Sequence, residues 1–176
     1  CADFDDKSCE HGFQSDVLSY VSVCKEWGLN PSIERSRSGN GAHVWLLFDM
    51  PILATKARKL GNAILTEAMN RDGKMSFKSY DRFFPNQDTL PQGGLGNLVA
   101  LPLQGNARRH NNSVFVTEEF VPYSDQWTYM QHITRVKDDQ VDEILSQYPK
   151  LVDIKYKALN KSEKNQEGYS KCQEAA

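Results

Sequence analysis

The chain has 176 residues, with 21 Lys and Arg against 23 Asp and Glu for a formal charge of −2, and 39% of its side chains are hydrophobic. That is enough for one domain with a sizeable core, and the charge balance excludes a protein that coats nucleic acid by bulk charge, so any such contact must use local basic patches. No run of about 18 apolar residues is present, which excludes a membrane-spanning helix, and no charged start followed by an apolar run marks a leader, so a cytoplasmic location is expected.

The sequence opens on Cys1 rather than Met and is read as a piece of a longer protein, whose upstream segment would complete the first strand. Ala2 to Asp5 reads as the end of a buried strand leaving into an acidic loop. Phe13, Val17, Leu18, Val21, Cys24 and Trp27 recur at helical spacing. Gly28 suits the end of that helix, and Pro31 prevents its continuation. Ser32–Ser36 predicts a short strand, and Arg37-Ser38-Gly39-Asn40-Gly41 a turn. His43 to Phe48 is a near-continuous apolar run, the pattern of a central strand buried on both faces.

Leu53, Ala57, Leu60, Ile64, Ala68 and Met69 predict a second amphipathic helix, with Lys56, Arg58 and Lys59 on its first half. Residues 73–96 read as a long loop, and Leu98–Leu101 as a return to strand ended by Pro102. Ser113–Thr117 is a further strand. Ser124 is expected to cap a short helix carrying Trp127 and Met130, and Val141, Ile144 and Leu145 mark a last helix. After Pro149 the composition turns polar. The expected organisation is one α+β domain over 1–149 with a mixed or antiparallel sheet, then a polar tail or linker over 150–176.

Three constellations carry chemistry. Asp3 and Asp5 are two apart, so on a strand they share a face. Two adjacent carboxylates repel unless a cation lies between them, and hard divalent ions take oxygen ligands and bridge to phosphates. The alternative is an acidic strand end in water. Ser38-Gly39-Asn40-Gly41-Ala42-His43 brings a glycine turn, a hydroxyl and an imidazole together beside Arg35 and Arg37. Backbone N–H groups of such a turn form an anion nest, although an ordinary hairpin turn has the same composition. Asp88 precedes the glycine-rich stretch 93–97 and is a candidate third carboxylate, or a residue of local turn bonding. Arg108, Arg109 and His110 form a small basic cluster suited to phosphate or to solvent. Of the four cysteines, Cys9, with His11 two residues on, could share a zinc ion with Cys24, but the spacing is looser than in most zinc sites and unpaired thiols are the simpler expectation.

These motifs occur in the order D-F-D, S-G-N-G-A-H-V-W, F-P-N-Q-D and G-N-L-V-A-L-P-L-Q. That order resembles the catalytic core of the archaeo-eukaryotic primase superfamily, and most nearly the primase-polymerases of TOTE conflict systems and their CRISPR-associated relatives, over residues 2–145. The resemblance implies a split, RRM-like α/β core with its site on the sheet. It implies that Asp3, Asp5 and Asp88 act as catalytic carboxylates holding two Mg²⁺ or Mn²⁺ ions. It implies that Ser38, Gly39, Gly41 and His43 hold the phosphates of an incoming nucleotide, with Asn97 and Arg108 nearby. Many relatives carry serine where this chain has Gly41, so backbone N–H groups or Ser38 would take over that serine's work.

The activity implied is template-dependent addition of nucleoside triphosphates (dNTP or NTP) to a 3′-hydroxyl. DNA or RNA template and primer would be partners, tracked by Arg35, Arg37, Lys56 and Arg108, and a helicase or nuclease module could follow in the full-length protein. On this reading Asp88→Ala abolishes extension in a folded domain. A metal-dependent nuclease would use the same acids without needing the phosphate loop, and a non-catalytic single-strand-binding module would need neither.

Overall fold

A computed structural model describes residues 1–6, 12–71, 79–89, 92–93 and 98–149. Among these residues five strands form one sheet in the order β4-β1-β3-β2-β5, with every neighbouring pair antiparallel. They are β1 (Ala2–Asp5), β2 (Ser32–Arg35), β3 (Gly41–Trp45), β4 (Tyr80–Phe83) and β5 (Val114–Val116). Helices α1 (Phe13–Glu26) and α2 (Ala54–Arg71) are long. The shorter ones are α3 (Gly105–Arg108), α4 (Gln126–Gln131) and α5 (Asp138–Gln147). The polar segment after Pro149 lies outside the described residues, as do Cys9, His11 and Asn97.

The period of two sorts the sheet into two faces. Ala2 and Phe4 point into the core, as do Ala42 and Val44 opposite them and Ile33 beyond. Phe13, Val17, Val21 and Cys24 recur three to four residues apart on α1 and cover that side together with Leu60, Ile64 and Ala68 of α2. Phe4 packs edge-on against both Tyr20 and Tyr80, with ring centres 5.7 and 6.0 Å apart. Burying a side chain such as Phe4 or Leu60 contributes about 2–3 kcal/mol. Gly61 lets α2 approach the sheet closely, since a Cβ there would lie 3.0 Å from the Phe83 ring. Gly28, at φ 74°, ends α1 while its N–H donates to Lys25 O and that of Leu29 to Cys24 O, a glycine C-terminal cap.

Several sequence expectations need correction. The central strand begins at Gly41 and ends at Trp45, because its register is set by pairing Asp5 with Gly41 and Ala2 with Val44. Phe48 instead makes an isolated parallel bridge to Val136. Residues 98–101 contain no strand, and Leu98 and Leu101 are exposed. A strand, β4, lies inside the stretch read as loop. The short helix α4 is capped by Asp125, whose carboxylate accepts the N–H groups of Trp127 and Thr128 at 3.0 Å each, rather than by Ser124. Arg58, read as a surface charge on α2, is buried, whereas Lys56 makes ion pairs with Asp138 and Asp142 of α5 at 2.6 and 2.8 Å.

Candidate active site

The core-facing side chains of β1 leave Asp3 and Asp5 on the opposite face. Antiparallel pairing sets Asp3 against His43 and Asp5 against Gly41, and directly paired residues share a face. His43 Nε2 therefore lies 3.4 Å from Asp3 Oδ1, an ion-pair separation longer than a good hydrogen bond. Opposite Asp5 there is room for no side chain at all. A Cβ on Gly41 would stand 2.4 Å from the Phe4 carbonyl oxygen and 2.7 Å from Asp5 Oδ1.

On the other side of β1 the register slips. Ala2 faces Phe83 and Asp3 faces Arg82, but Phe4 faces Tyr80, so β4 carries one extra residue, Asp81. A bulge re-aims side chains. Tyr80 and Phe83 remain packed against each other and against the core, and Asp81 reaches the open face. Carboxylate oxygens of Asp3, Asp5 and Asp81 come within 4.8 Å of one another. Arg82 Nε donates to Asp81 Oδ2 at 2.7 Å. That bond and the negative charge of Asp81, Asp3 and Asp5 hold the guanidinium pKa above its ordinary value.

An all-carboxylate cluster is the donor set of a hard divalent cation. The buried Oδ1 of Asp3, which accepts no hydrogen bond, is consistent with such a ligand. Asp88 is not part of this cluster. Its Oδ1 lies 3.2 Å from Nε of the buried Arg58. Sequence reasoning passed over Asp81 because it took the segment for loop. The signal available was the aromatic, strand-forming run Tyr80-Asp81-Arg82-Phe83-Phe84 around it.

The glycine turn joins β2 to β3 beside this cluster. Gly39 has φ 84° and runs against Asn112, where a Cβ would fall 2.8 Å from Oδ1. Ser38 serves the turn itself. Its hydroxyl lies 3.1 Å from that of Ser36 and accepts the N–H of Asn40 at 3.2 Å. Arg35 donates to the carbonyls of Asn111 and Phe120 at 3.0 and 2.6 Å, tying the turn to the segment before β5 and to the loop after it. Arg37 is exposed, and Arg108 stands 5.7 Å over the ring of Trp127. Cys24 is buried in the core, and burial raises its thiol pKa.

His43 is also bound from behind. Its Nδ1 lies 3.0 Å from Oε2 of the buried Glu34. Burial lowers its pKa, but the neighbouring carboxylates of Asp3 and Glu34 outweigh that and hold it at about 9. A raised histidine pKa contributes stability that is complete below the unfolded value of about 6.5 and is lost as pH rises through 9. Melting the protein in chelator from pH 6.5 to 10 is therefore expected to show a loss on the order of 2 kcal/mol. His43→Gln should flatten that profile, and an unchanged profile would refute the assignment.

A family model described as the archaeo-eukaryotic primase domain of TOTE conflict systems matches residues 1–144. A search of curated proteins returned no match.

Proposed function

The chain belongs to the archaeo-eukaryotic primase domain family of TOTE conflict systems, and from that premise we propose that it is a template-dependent primase-polymerase. Such a domain implies nucleotide and nucleic-acid substrates, and no helix among the described residues is long and apolar enough to cross a membrane. The observation that carries the reading is the juxtaposition on one sheet face of the Asp3, Asp5 and Asp81 carboxylates with His43 and the glycine turn.

In this reaction a 3′-hydroxyl oxygen bonds to the α-phosphorus of a nucleoside triphosphate. The α–β phosphoanhydride breaks, pyrophosphate leaves, and the hydroxyl proton passes to solvent. Asp3, Asp5 and Asp81 would hold two Mg²⁺ or Mn²⁺ ions. When bound, these supply the positive charge that favours an attacking alkoxide and neutralises the departing pyrophosphate. The three carboxylates position those charges and are themselves positioned by two backbone pairings of β1, so little reorganisation is needed at the moment of reaction. His43 directs Nε2 to the side of the cluster facing the turn, where it suits a phosphate oxygen. The turn of residues 36–41 borders that side of the cluster, with Gly39 closed against Asn112 and Gly41 against β1. Arg37, in the turn, and Arg108 are exposed cations that suit template or triphosphate phosphates. Binding of nucleic acid through such groups weakens as salt rises.

The test is extension of a labelled primer on a longer template, with separate deoxy- and ribonucleotide pools in Mg²⁺ and in Mn²⁺. Template-directed extension is expected, and the Asp3→Ala/Asp5→Ala protein should show none. No extension by a folded, monodisperse protein would reject the proposal. Cleavage of the primer without added triphosphate would reassign the carboxylates to hydrolysis.

A further inference from the structure

The geometry points to Glu34 as a positioning residue for His43, fixing the imidazole so that Nε2 faces the carboxylate cluster and the incoming triphosphate. The inference rests on the primase-polymerase reading for what Nε2 touches, but not for how the ring is held. Glu34 lies on β2, directly across from His43 on β3 and from Phe115 on β5, so its side chain stands on the same open face. Only 1% of it is exposed. Its cross-strand neighbour Phe115 is packed by Tyr129 of α4, with ring centres 5.2 Å apart, and the Tyr129 hydroxyl donates to Ser32 Oγ at 3.1 Å.

A buried carboxylate must have its hydrogen bonds met, and this one receives three. Oε2 accepts from His43 Nδ1 at 3.0 Å and from Trp45 Nε1 at 2.7 Å, and Oε1 accepts from Ser113 Oγ at 3.1 Å. The Trp45 bond, which shares Oε2 with the imidazole, aims the carboxylate, and the carboxylate aims the ring, while the Ser113 bond satisfies the far oxygen. Turning the imidazole over would place a C–H against Oε2 and leave that buried oxygen short of a donor, a penalty that selects one orientation. Stability alone does not explain the arrangement, because buried ionic groups are often replaced by apolar ones of similar volume without loss. A charge kept here, with every donor directed at it and one of them the site's histidine, has a directional task. The logic matches that of metal-ligating and catalytic histidines, whose far nitrogen is fixed by a carboxylate behind the ring.

The test uses the whole chain, labelled with ¹⁵N in its histidines. At pH 7 the wild-type His43 ring should carry a proton on Nδ1. Glu34→Gln keeps the volume but presents an amide N–H₂ or a single neutral oxygen to the same donors, and it should remove that signature. In primer extension the E34Q protein should raise KM for the nucleotide about tenfold with kcat within about threefold, the pattern of lost substrate positioning. Ser113→Ala removes a different hydrogen bond from the same carboxylate. It should lower stability comparably while leaving KM within about twofold.

An unprotonated Nδ1 in the wild type overturns the inference whatever the variants do. So does a folded E34Q protein with unchanged KM, or an S113A protein with the same KM increase. The two readings separate in a Mn²⁺–nucleotide binding titration. If the wild type binds but does not extend primers, a tenfold weaker E34Q upholds Glu34 while the polymerase reading falls. If the wild type binds no nucleotide, both fall.

Discussion

Asp81→Asn is expected to reduce primer extension by about 10³-fold or more and to remove divalent-metal binding, while Asp88→Asn leaves both nearly intact. The reason is placement. Oxygens of Asp3, Asp5 and Asp81 lie within 4.8 Å of one another, whereas Asp88 faces Arg58 at 3.2 Å. Replacing a charged ligand by a neutral amide of the same shape removes a negative charge that a divalent ion requires, worth several kcal/mol of transition-state stabilisation. A readout independent of turnover is available in a Mn²⁺ titration, which should show binding to the wild type and to D88N but not to D81N. The metal-free proteins should also diverge. D81N relieves repulsion among three neighbouring carboxylates, although it also weakens the bond to Arg82, so its Tm should stay level or rise. D88N withdraws a charge from a buried guanidinium and should lower Tm by about 2–4 °C, roughly 1 kcal/mol. Full extension by D81N together with loss in D88N would return the third-carboxylate role to Asp88.

Gly41→Ala is the second large effect. The added methyl would meet the Phe4 carbonyl oxygen at 2.4 Å and Asp5 Oδ1 at 2.7 Å. The carboxylate can rotate aside, but the carbonyl belongs to a strand paired on both sides and cannot. β1 and β3 must therefore separate at the point where they hold Asp5. Forcing a methyl into so closed a space costs about 2–3 kcal/mol, or some 5–10 °C in Tm. The larger consequence is catalytic. Displacing Asp5 by about 1 Å relative to Asp3 and Asp81 is expected to lower kcat about 10²-fold in protein that is still folded at 20 °C. Measured beside it, Gly105→Ala, at a glycine whose added Cβ meets nothing within 4 Å, should leave extension unchanged. A G41A protein with normal kcat would show that the close approach of the two strands is not needed at the site. The same contact accounts for glycine at a position where the family resemblance leads one to expect serine.

Features under the control of local periodicity were legible before any coordinates. Alternation put Asp3 and Asp5 on one face and Phe4 on the other. Helical spacing found α1, α2 and α5 to within a few residues, and the glycine turn located the β2–β3 hairpin. The order of these motifs pointed to the family that matches residues 1–144. Pairing was beyond the reach of such patterns, because register, bulges and burial arise between segments distant in the chain. Asp3 meets His43 only because β1 and β3 pair in that register, and a one-residue slip would turn every β1 side chain to the opposite face. Asp81 joins the cluster only through a bulge, which leaves no periodic trace in four residues. Asp88 read as the third metal carboxylate and Arg58 as a surface base until the fold placed them together. Glu34 lay unremarked in a short predicted strand, and its carboxylate meets His43, Trp45 and Ser113 only once β3 and β5 pair on either side of β2. Residue chemistry and spacing supplied the parts of the candidate site, and long-range strand pairing decided which of the carboxylates face one another.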